Sequence, residues 1–315
     1  MRIVFIGTGE IGVPTLRMLF AAKEHHVLAC VTQPDKPVGR HQELQPSPIK
    51  VLAMQQHVPI FQPQKIRDPS AIEPLRYLRP DVLVVMAYGQ ILPGELLRVP
   101  SVACLNLHAS LLPKHRGAAP IQAALEAGDR DTGITVMYMS EGLDTGDVLL
   151  TRPLRIGRRE TGGTLHDRLA ALAPAALAEA LALLKQGRAP RTPQDGAQAT
   201  YAAKLARENG GIDWTRTQEE IDRRIRAMNP WPGAFTWLPS AEGPRKLKVF
   251  ACIQHRKSGA APGTVVHADK HGLLVAAGQG GVLLREVQLE GKKRMAARDF
   301  LLGTLVAPGT VLGTA

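Results

Sequence analysis

An amide, an imidazole and a carboxylate brought to one point can hold an oxyanion, carry a proton and orient the carrier. This chain offers such a set in Asn106 and His108, of Asn106-Leu107-His108, and in Asp144, of Gly142-Leu143-Asp144-Thr145-Gly146-Asp147. Residues 102–106 (VACLN) read as a short buried strand, which puts Asn106 at its C-terminal end and His108 just beyond. In an open α/β sheet that edge is where ligands bind. Residues 133–139 (GITVMYM) read as the next strand, so two successive strands should deliver their loops to one rim. Taken singly, His108 is as readily a surface histidine and Asp144 a turn residue. Together, with Pro and Gly setting both loops, they read as a reaction centre.

The elements that must position them alternate. Residues 2–7 (RIVFIG), 27–32 (VLACVT), 82–86 (VLVVM) and 102–106 are short, nearly continuous apolar runs, as strands buried on both faces should be. Between them 14–22, 47–56 and 70–78 carry helical spacing, which makes a βαβ series and hence a parallel, doubly wound sheet. Helices are also predicted at 124–127 and 164–185. Over 187–211 the composition shifts to Gly, Ala, Pro, Thr and Gln, the mark of a linker. Beyond it, a short helix at 217–228 precedes strand-sized pieces at 234–238, 246–253, 263–267, 272–276 and 281–289. Gly and Pro turns separate these pieces, which suggests a small β-barrel. The expected class is α/β: a Rossmann-like, doubly wound, mostly parallel sheet over 1–188, a linker at 189–207 and an OB-like β-barrel over 208–315.

A chain of 315 residues suffices for two domains with cores of their own. No apolar run approaches the roughly 20 residues of a membrane span, and Met1 leads at once into a strand without a signal or transit peptide. A cytoplasmic protein is expected. Cys30, Cys104 and Cys252 are scattered through strand-like runs, so they read as reduced, buried thiols, and no metal-ligand spacing exists. The net charge is +11, from 39 Lys and Arg against 28 Asp and Glu. Residues 205–315 hold 16 basic and 10 acidic side chains, and 1–204 hold 23 and 18, so the surplus is denser in the last third. Clustered Lys and Arg fit a polyanionic partner, although charge alone fits an idle basic surface as well.

Gly7-Thr8-Gly9-Glu10-Ile11-Gly12 matches the dinucleotide fingerprint, after a strand and before a helix. The acidic residue that should close the second strand is absent, because that strand ends in Thr32-Gln33-Pro34 and Asp35 lies in the turn beyond. The glycines therefore read as a tight turn, and NAD is not expected.

The chain resembles the folate-dependent formyltransferases along nearly all of its length. Val84-Val85-Met86-Ala87-Tyr88-Gly89, Asn106-Leu107-His108, Ser110-Leu111-Leu112-Pro113-Lys114-His115-Arg116-Gly117-Ala118-Ala119-Pro120-Ile121 and Gly142-Leu143-Asp144-Thr145-Gly146 carry the resemblance. Ile212-Asp213-Trp214, Asn229-Pro230-Trp231-Pro232-Gly233, Gly291-Lys292-Lys293 and the long 33–50 loop resemble the branch that acts on methionyl-tRNA in particular. The family usually has Pro-x-Phe-Ala where this chain has Gly9-Glu10-Ile11-Gly12, and His115 replaces a more usual aromatic. Both departures bear on the amino-acid pocket and neither touches Asn106, His108 or Asp144.

The resemblance implies formyl transfer from 10-formyltetrahydrofolate to the free amine of methionyl-initiator tRNA, in the cytoplasm, by a monomer without a metal. Asn106 would stabilise the oxyanion, His108 would polarise it or carry a proton, and Asp144 would raise the imidazole pKa and help remove the amine proton. The folate slot would be lined by Met86, Ala87, Tyr88, Gly89, Ser110, Leu111, Leu112, Pro113, Met139, Gly142 and Leu143. Arg40, in the long loop with Lys36, would enter the acceptor stem. Lys204, Arg207, Lys246, Lys248, Lys292, Lys293 and Arg294 would grip backbone phosphates. The competing readings are a formyltransferase for a nucleotide-linked amino sugar, an NAD(P)-dependent oxidoreductase resting on the glycine turn, and a catalytically silent RNA-binding barrel.

Overall fold

The computed structural model describes residues 1–38 and 42–313, so Arg40 lies outside the described residues. The chain forms two compact units. The first comprises residues 1–120, 131–155 and 166–203, and the second 121–130, 156–165 and 204–315.

The first unit is built on a seven-stranded sheet in the order Val148–Arg155, Asp131–Tyr138, Ala103–His108, Val82–Met86, Arg2–Gly7, His26–Val31, Ile60–Phe61. From Ala103–His108 to Ile60–Phe61 every pairing is parallel. All five residues of Val82–Met86 are buried, as its unbroken apolar run requires. Helices Val13–Ala21, Pro48–Gln55 and Pro69–Tyr77 form the crossovers, and each has Pro at its first turn, where a missing N–H costs nothing. Ser47 caps the second of these by accepting from the Lys50 N–H. The winding reverses at Arg2–Gly7, which has His26–Val31 on one side and Val82–Met86 on the other. The loops that leave these two central strands meet there, with the Thr8 and Gly9 N–H groups donating to the Ala87 carbonyl at 3.2 and 3.3 Å.

The residues read as a linker behave differently on the two sides of Ala203. Up to Ala203 they pack with the first unit. Tyr201–Ala202 adds as a parallel strand to Arg116–Gly117, and Thr192 bridges Val148.

The second unit carries an antiparallel sheet in the order Ala234–Leu238, Arg245–His255, Gly281–Leu289, Gly272–Ala276, Val265–Asp269, with Met295–Ala296 paired to Gly281–Leu289. The expected barrel is not closed. Its two edge strands do not pair; instead the segment near the C-terminus bridges each once, Thr264 with Val311 and Trp237 with Gly313. Alternation along the long strand buries Leu247 and Val249 on the inner face. Helix Gln218–Ala227 lays Ile221 and Ile225, one turn apart, on that core, and the Thr217–Glu220 capping box starts it.

Candidate active site

The strand that carries Asn106 and His108 is Ala103–His108, which extends two residues further at its C-terminal end than its apolar run suggests. Asn106 and His108 are thus both inside the ladder, two apart, and share one face. Its neighbour Asp131–Tyr138 runs antiparallel, with His108 opposite Thr135 and Leu105 opposite Tyr138. The end of that strand therefore points away from His108, and the expectation of two loops leaving by one rim does not hold. Asp144 reaches the site because its loop doubles back. The Tyr138 N–H closes the neck of the loop on the Asp147 carbonyl at 2.9 Å. Gly146 is required there, since an added Cβ would run into the Tyr138 carbonyl.

The doubled loop brings the trio together. The Asn106 side-chain amide donates to Asp144 Oδ1 at 3.3 Å, and the Gly117 N–H donates to Oδ2 at 2.8 Å. His108 Nδ1 lies 3.6 Å from Asp144 Oδ2, while His108 Nε2 sits 2.8 Å from the His115 carbonyl oxygen. A carbonyl only accepts, so Nε2 carries a hydrogen and the neutral ring presents the Nδ1 lone pair to the carboxylate. The ring is 6 % exposed. Burial holds the imidazole below its ordinary pKa of 6.5, outweighing the Asp144 charge and the His115 carbonyl, which both favour protonation. This reverses the direction expected from Asp144 alone. It also spends Nε2–H on protein, so the site presents a neutral proton acceptor braced by a carboxylate.

The loops around the trio are held by side chains that the sequence reading did not single out. Thr135 donates its hydroxyl to the Ser110 carbonyl at 2.6 Å and accepts from the Leu112 N–H at 3.1 Å. The Thr200 hydroxyl accepts from the His115 N–H at 2.8 Å, and His115 itself is held at φ +59°, with its carbonyl on His108. A threonine in mid-strand carries no sequence signal for such a role.

The proposed folate residues divide. Ala87, Gly89, Gly142 and Leu143 are exposed, Leu143 at 54 %, and Leu111, Pro113 and Met139 are half-buried. Met86 is 1 % exposed, with its sulfur 3.9 Å from the Thr15 hydroxyl, so its side chain belongs to the core rather than to a slot. Ser110 and Leu112 are likewise buried, and the Ser110 hydroxyl is spent on the Lys114 carbonyl at 2.6 Å. Ser110 and Leu112 shape the loop that follows Ala103–His108. Tyr88 is buried as well, which pushes its phenol up to about 12.

The glycine turn is explained by packing. A Cβ on Gly7 would lie 2.7 Å from the Met86 carbonyl, and one on Gly12 would lie 3.2 Å from the Phe5 ring. The Thr8 and Gly9 N–H groups that a pyrophosphate would need already serve Ala87.

Of the basic residues, Lys36 is exposed on Lys36–Val38, which pairs antiparallel with Glu43–Gln45. Lys204, Arg207, Lys292 and Lys293 are exposed in the second unit. Lys246 and Lys248 share the outer face of their strand, with the Lys246 ammonium 4.2 Å from the centre of the Phe235 ring. Arg294 does not offer a free charge. It makes a two-pronged pair with Glu286 at 2.8 and 2.6 Å and stacks on Phe250. Among the described residues no group of three or more His, Cys, Asp or Glu could hold a metal, and no helix is long and apolar enough to cross a membrane.

Two family models match the chain, formyl transferase over residues 1–181 and the formyl transferase C-terminal domain over 204–305. The chain belongs to the formyl transferase family. It is 50 % identical to a methionyl-tRNA formyltransferase of Methylacidiphilum infernorum, over 99 % of this chain and 98 % of that one. It is 44 % identical to the methionyl-tRNA formyltransferase of Geobacter sulfurreducens, over 100 % and 98 %. Among solved structures, its fold resembles an N-formyltransferase from Helicobacter canadensis in complex with folinic acid and dTDP-3-aminofucose. The TM-score is 0.66 at 15 % identity, covering 90 % of this chain and 98 % of that one. HypX from Aquifex aeolicus, in complex with tetrahydrofolic acid, matches with a TM-score of 0.61 at 16 % identity, over 96 % and 47 %.

Proposed function

We propose that this formyltransferase moves the formyl group of 10-formyltetrahydrofolate to the free amine of methionyl-initiator tRNA, the product serving translation initiation. The support for the substrate is the full-length likeness to relatives that bear that name. For the chemistry, the observation that carries the reading is the geometry of the buried His108 ring, with Nε2 on the His115 carbonyl and Nδ1 turned to Asp144.

The folate supplies an activated formyl carbon. Exposed Ala87, Gly89, Gly142 and Leu143 frame the edge where a flat heteroaromatic ring would lie. Attack by the amine puts negative charge on the formyl oxygen and positive charge on the nitrogen. Asn106, which keeps a second amide N–H beyond the one given to Asp144, donates to that oxygen. His108 takes the amine proton at Nδ1, and Asp144 stabilises the imidazolium that results. The bond between the formyl carbon and the folate nitrogen then breaks, that nitrogen leaves with the proton, and His108 returns to its neutral form. On this reading the enzyme acts as a monomer and, from its tRNA substrate, in the cytoplasm. Lys36 and Arg40 in the first unit, with Lys204, Arg207, Lys246, Lys248, Lys292 and Lys293 in the second, are the proposed tRNA contacts.

The test is transfer of labelled formyl from 10-formyltetrahydrofolate to charged initiator tRNA, with a nucleotide-linked amino sugar as competitor. Label on the tRNA alone is expected. Label on the sugar, with none on the tRNA, rejects the tRNA substrate and keeps the chemistry.

A further inference from the structure

Gln194 lies in the segment between the long helix Gly162–Lys185 and the strand Tyr201–Ala202, outside every motif named above. Its Nε2 donates to the backbone carbonyls of Asp144 and Gly146 at 2.9 and 2.7 Å. Its Oε1 accepts from Nε and Nη2 of Arg116 at 3.1 and 2.8 Å. Both N–H groups and the oxygen of the amide are therefore committed to two loops. One loop carries Asp144. The other supplies the Gly117 N–H to Asp144 and the His115 carbonyl to His108.

Two further facts give this clamp a purpose. Asp144 is held at φ +51°, in the left-handed region that Asp tolerates better than most non-glycine residues, and ties to its backbone carbonyl help to fix it there. Arg116 is buried, and a guanidinium that meets the amide oxygen twice polarises it and strengthens the two N–H donors behind it. The Arg116 segment has an independent anchor in its pairing with Tyr201–Ala202 and in the Thr200 hydroxyl. The loop of Asp144 has its neck on Tyr138 and its carboxylate on the Gly117 N–H, and Gln194 adds the tie that fixes its backbone, at Asp144 and Gly146, to the other loop.

We propose that Gln194 is a positioning residue, which sets the Asp144 carboxylate against the His108 ring by tying the two loops together. It touches no reacting atom, and its effect on rate rests on the catalytic reading of Asn106, His108 and Asp144.

The test uses the full chain with Gln194→Met, which keeps length and volume but loses both donors and the acceptor. Gln194→Glu is the second variant; it keeps an acceptor for Arg116 and loses the donors. Thermal melts, kcat and KM for both substrates, and an NMR titration of the His108 ring are measured. In both variants kcat should fall about 10²-fold with KM little changed, because a displaced catalytic group costs rate rather than binding. The His108 titration should move to lower pH, since the Asp144 charge that opposes burial has drifted away. A His108 titration like that of the parent in both variants overturns the proposal, whatever happens to the melting temperature. Recovery of rate in Gln194→Glu overturns it too, because the donors would then be dispensable. A shifted titration with an unchanged rate upholds the positioning and sinks the catalytic assignment instead.

Discussion

At the scale of the residue, the trio is governed by competition between burial and charge. His108 is kept neutral by desolvation although a carboxylate lies 3.6 Å away, so Asp144 works by favouring the proton once it arrives. Asp144→Asn keeps the shape and removes the charge. We expect kcat to fall by roughly 10²–10³-fold, and the His108 titration to move further below 6.5. An unchanged titration would mean that the charge does not reach the ring. Asn106→Ala should lower kcat by about 10²-fold with little change in tRNA affinity, as loss of an oxyanion donor does. Near-parent turnover would remove Asn106 from that role. The same burial has a consequence for stability. The folded ring binds its proton less readily than the unfolded one, so this residue costs nothing well above pH 6.5. Its cost grows as pH falls through that value and levels off once the folded ring also protonates. His108→Gln should therefore lose less stability than the parent on acidification, measured by urea unfolding on either side of pH 6.5. Equal acid sensitivity would contradict the lowered pKa.

At the scale of the element, the site depends on one antiparallel strand and the loop that folds back from it. Gly146→Ala tests that geometry, because the added methyl meets the Tyr138 carbonyl and must open the neck. The expected result is a loss of about 1–3 kcal/mol in stability, of the size seen when a packed site is overfilled, together with a fall in kcat. Parent-like values for both would show that the loop has room to relax. Much of this was legible in the sequence. Buried parallel strands announce themselves as unbroken apolar runs, and the Thr217–Glu220 capping box marks its own helix. Asn106, His108 and Asp144 could be singled out by residue type and by their flanking Pro and Gly, and the structure brings the three side chains together. The direction of Asp131–Tyr138 was not, since a buried strand has the same apolar signature whichever way it runs. Composition also misread residues 189–203. Gly, Pro, Ala and Gln look like a spacer, yet Gln194, Thr200 and Tyr201–Ala202 bond to the loops around Asp144 and His108. Their side chains act through single hydrogen bonds to distant backbone, which leaves no periodic trace. The pairing of Arg294 with Glu286 was illegible for a related reason, because Glu286 is on a neighbouring strand that sequence alone does not place beside it.

At the scale of the whole molecule, the surplus of positive charge becomes a statement about salt. Each phosphate neutralised by a lysine releases counterions, so log K for tRNA should fall against log salt with a slope of about −0.9 per contact on duplex. Lys292→Ala removes an exposed charge and should flatten that slope by about one while weakening all tRNAs alike. Arg294→Ala should change it far less, since that guanidinium is already paired with Glu286. A slope change in the Arg294 variant as large as that in the Lys292 variant would mean that the intramolecular pair yields to phosphate.

The pairing of Arg116–Gly117 with Tyr201–Ala202 also orders events in time. His115 and Thr200, joined by a hydrogen bond, are separated by 85 positions in the chain. During synthesis the strand bearing Asn106 and His108 leaves the ribosome long before the segment that seats their neighbouring loop. Closing so long a span is entropically costly and comes late. A nascent chain halted at residue 188 would hold every strand of the central sheet and all three proposed catalytic side chains, yet lack the ties that Gln194, Thr200 and Tyr201–Ala202 make to their loops. Activity should switch on only after residue 202 has emerged.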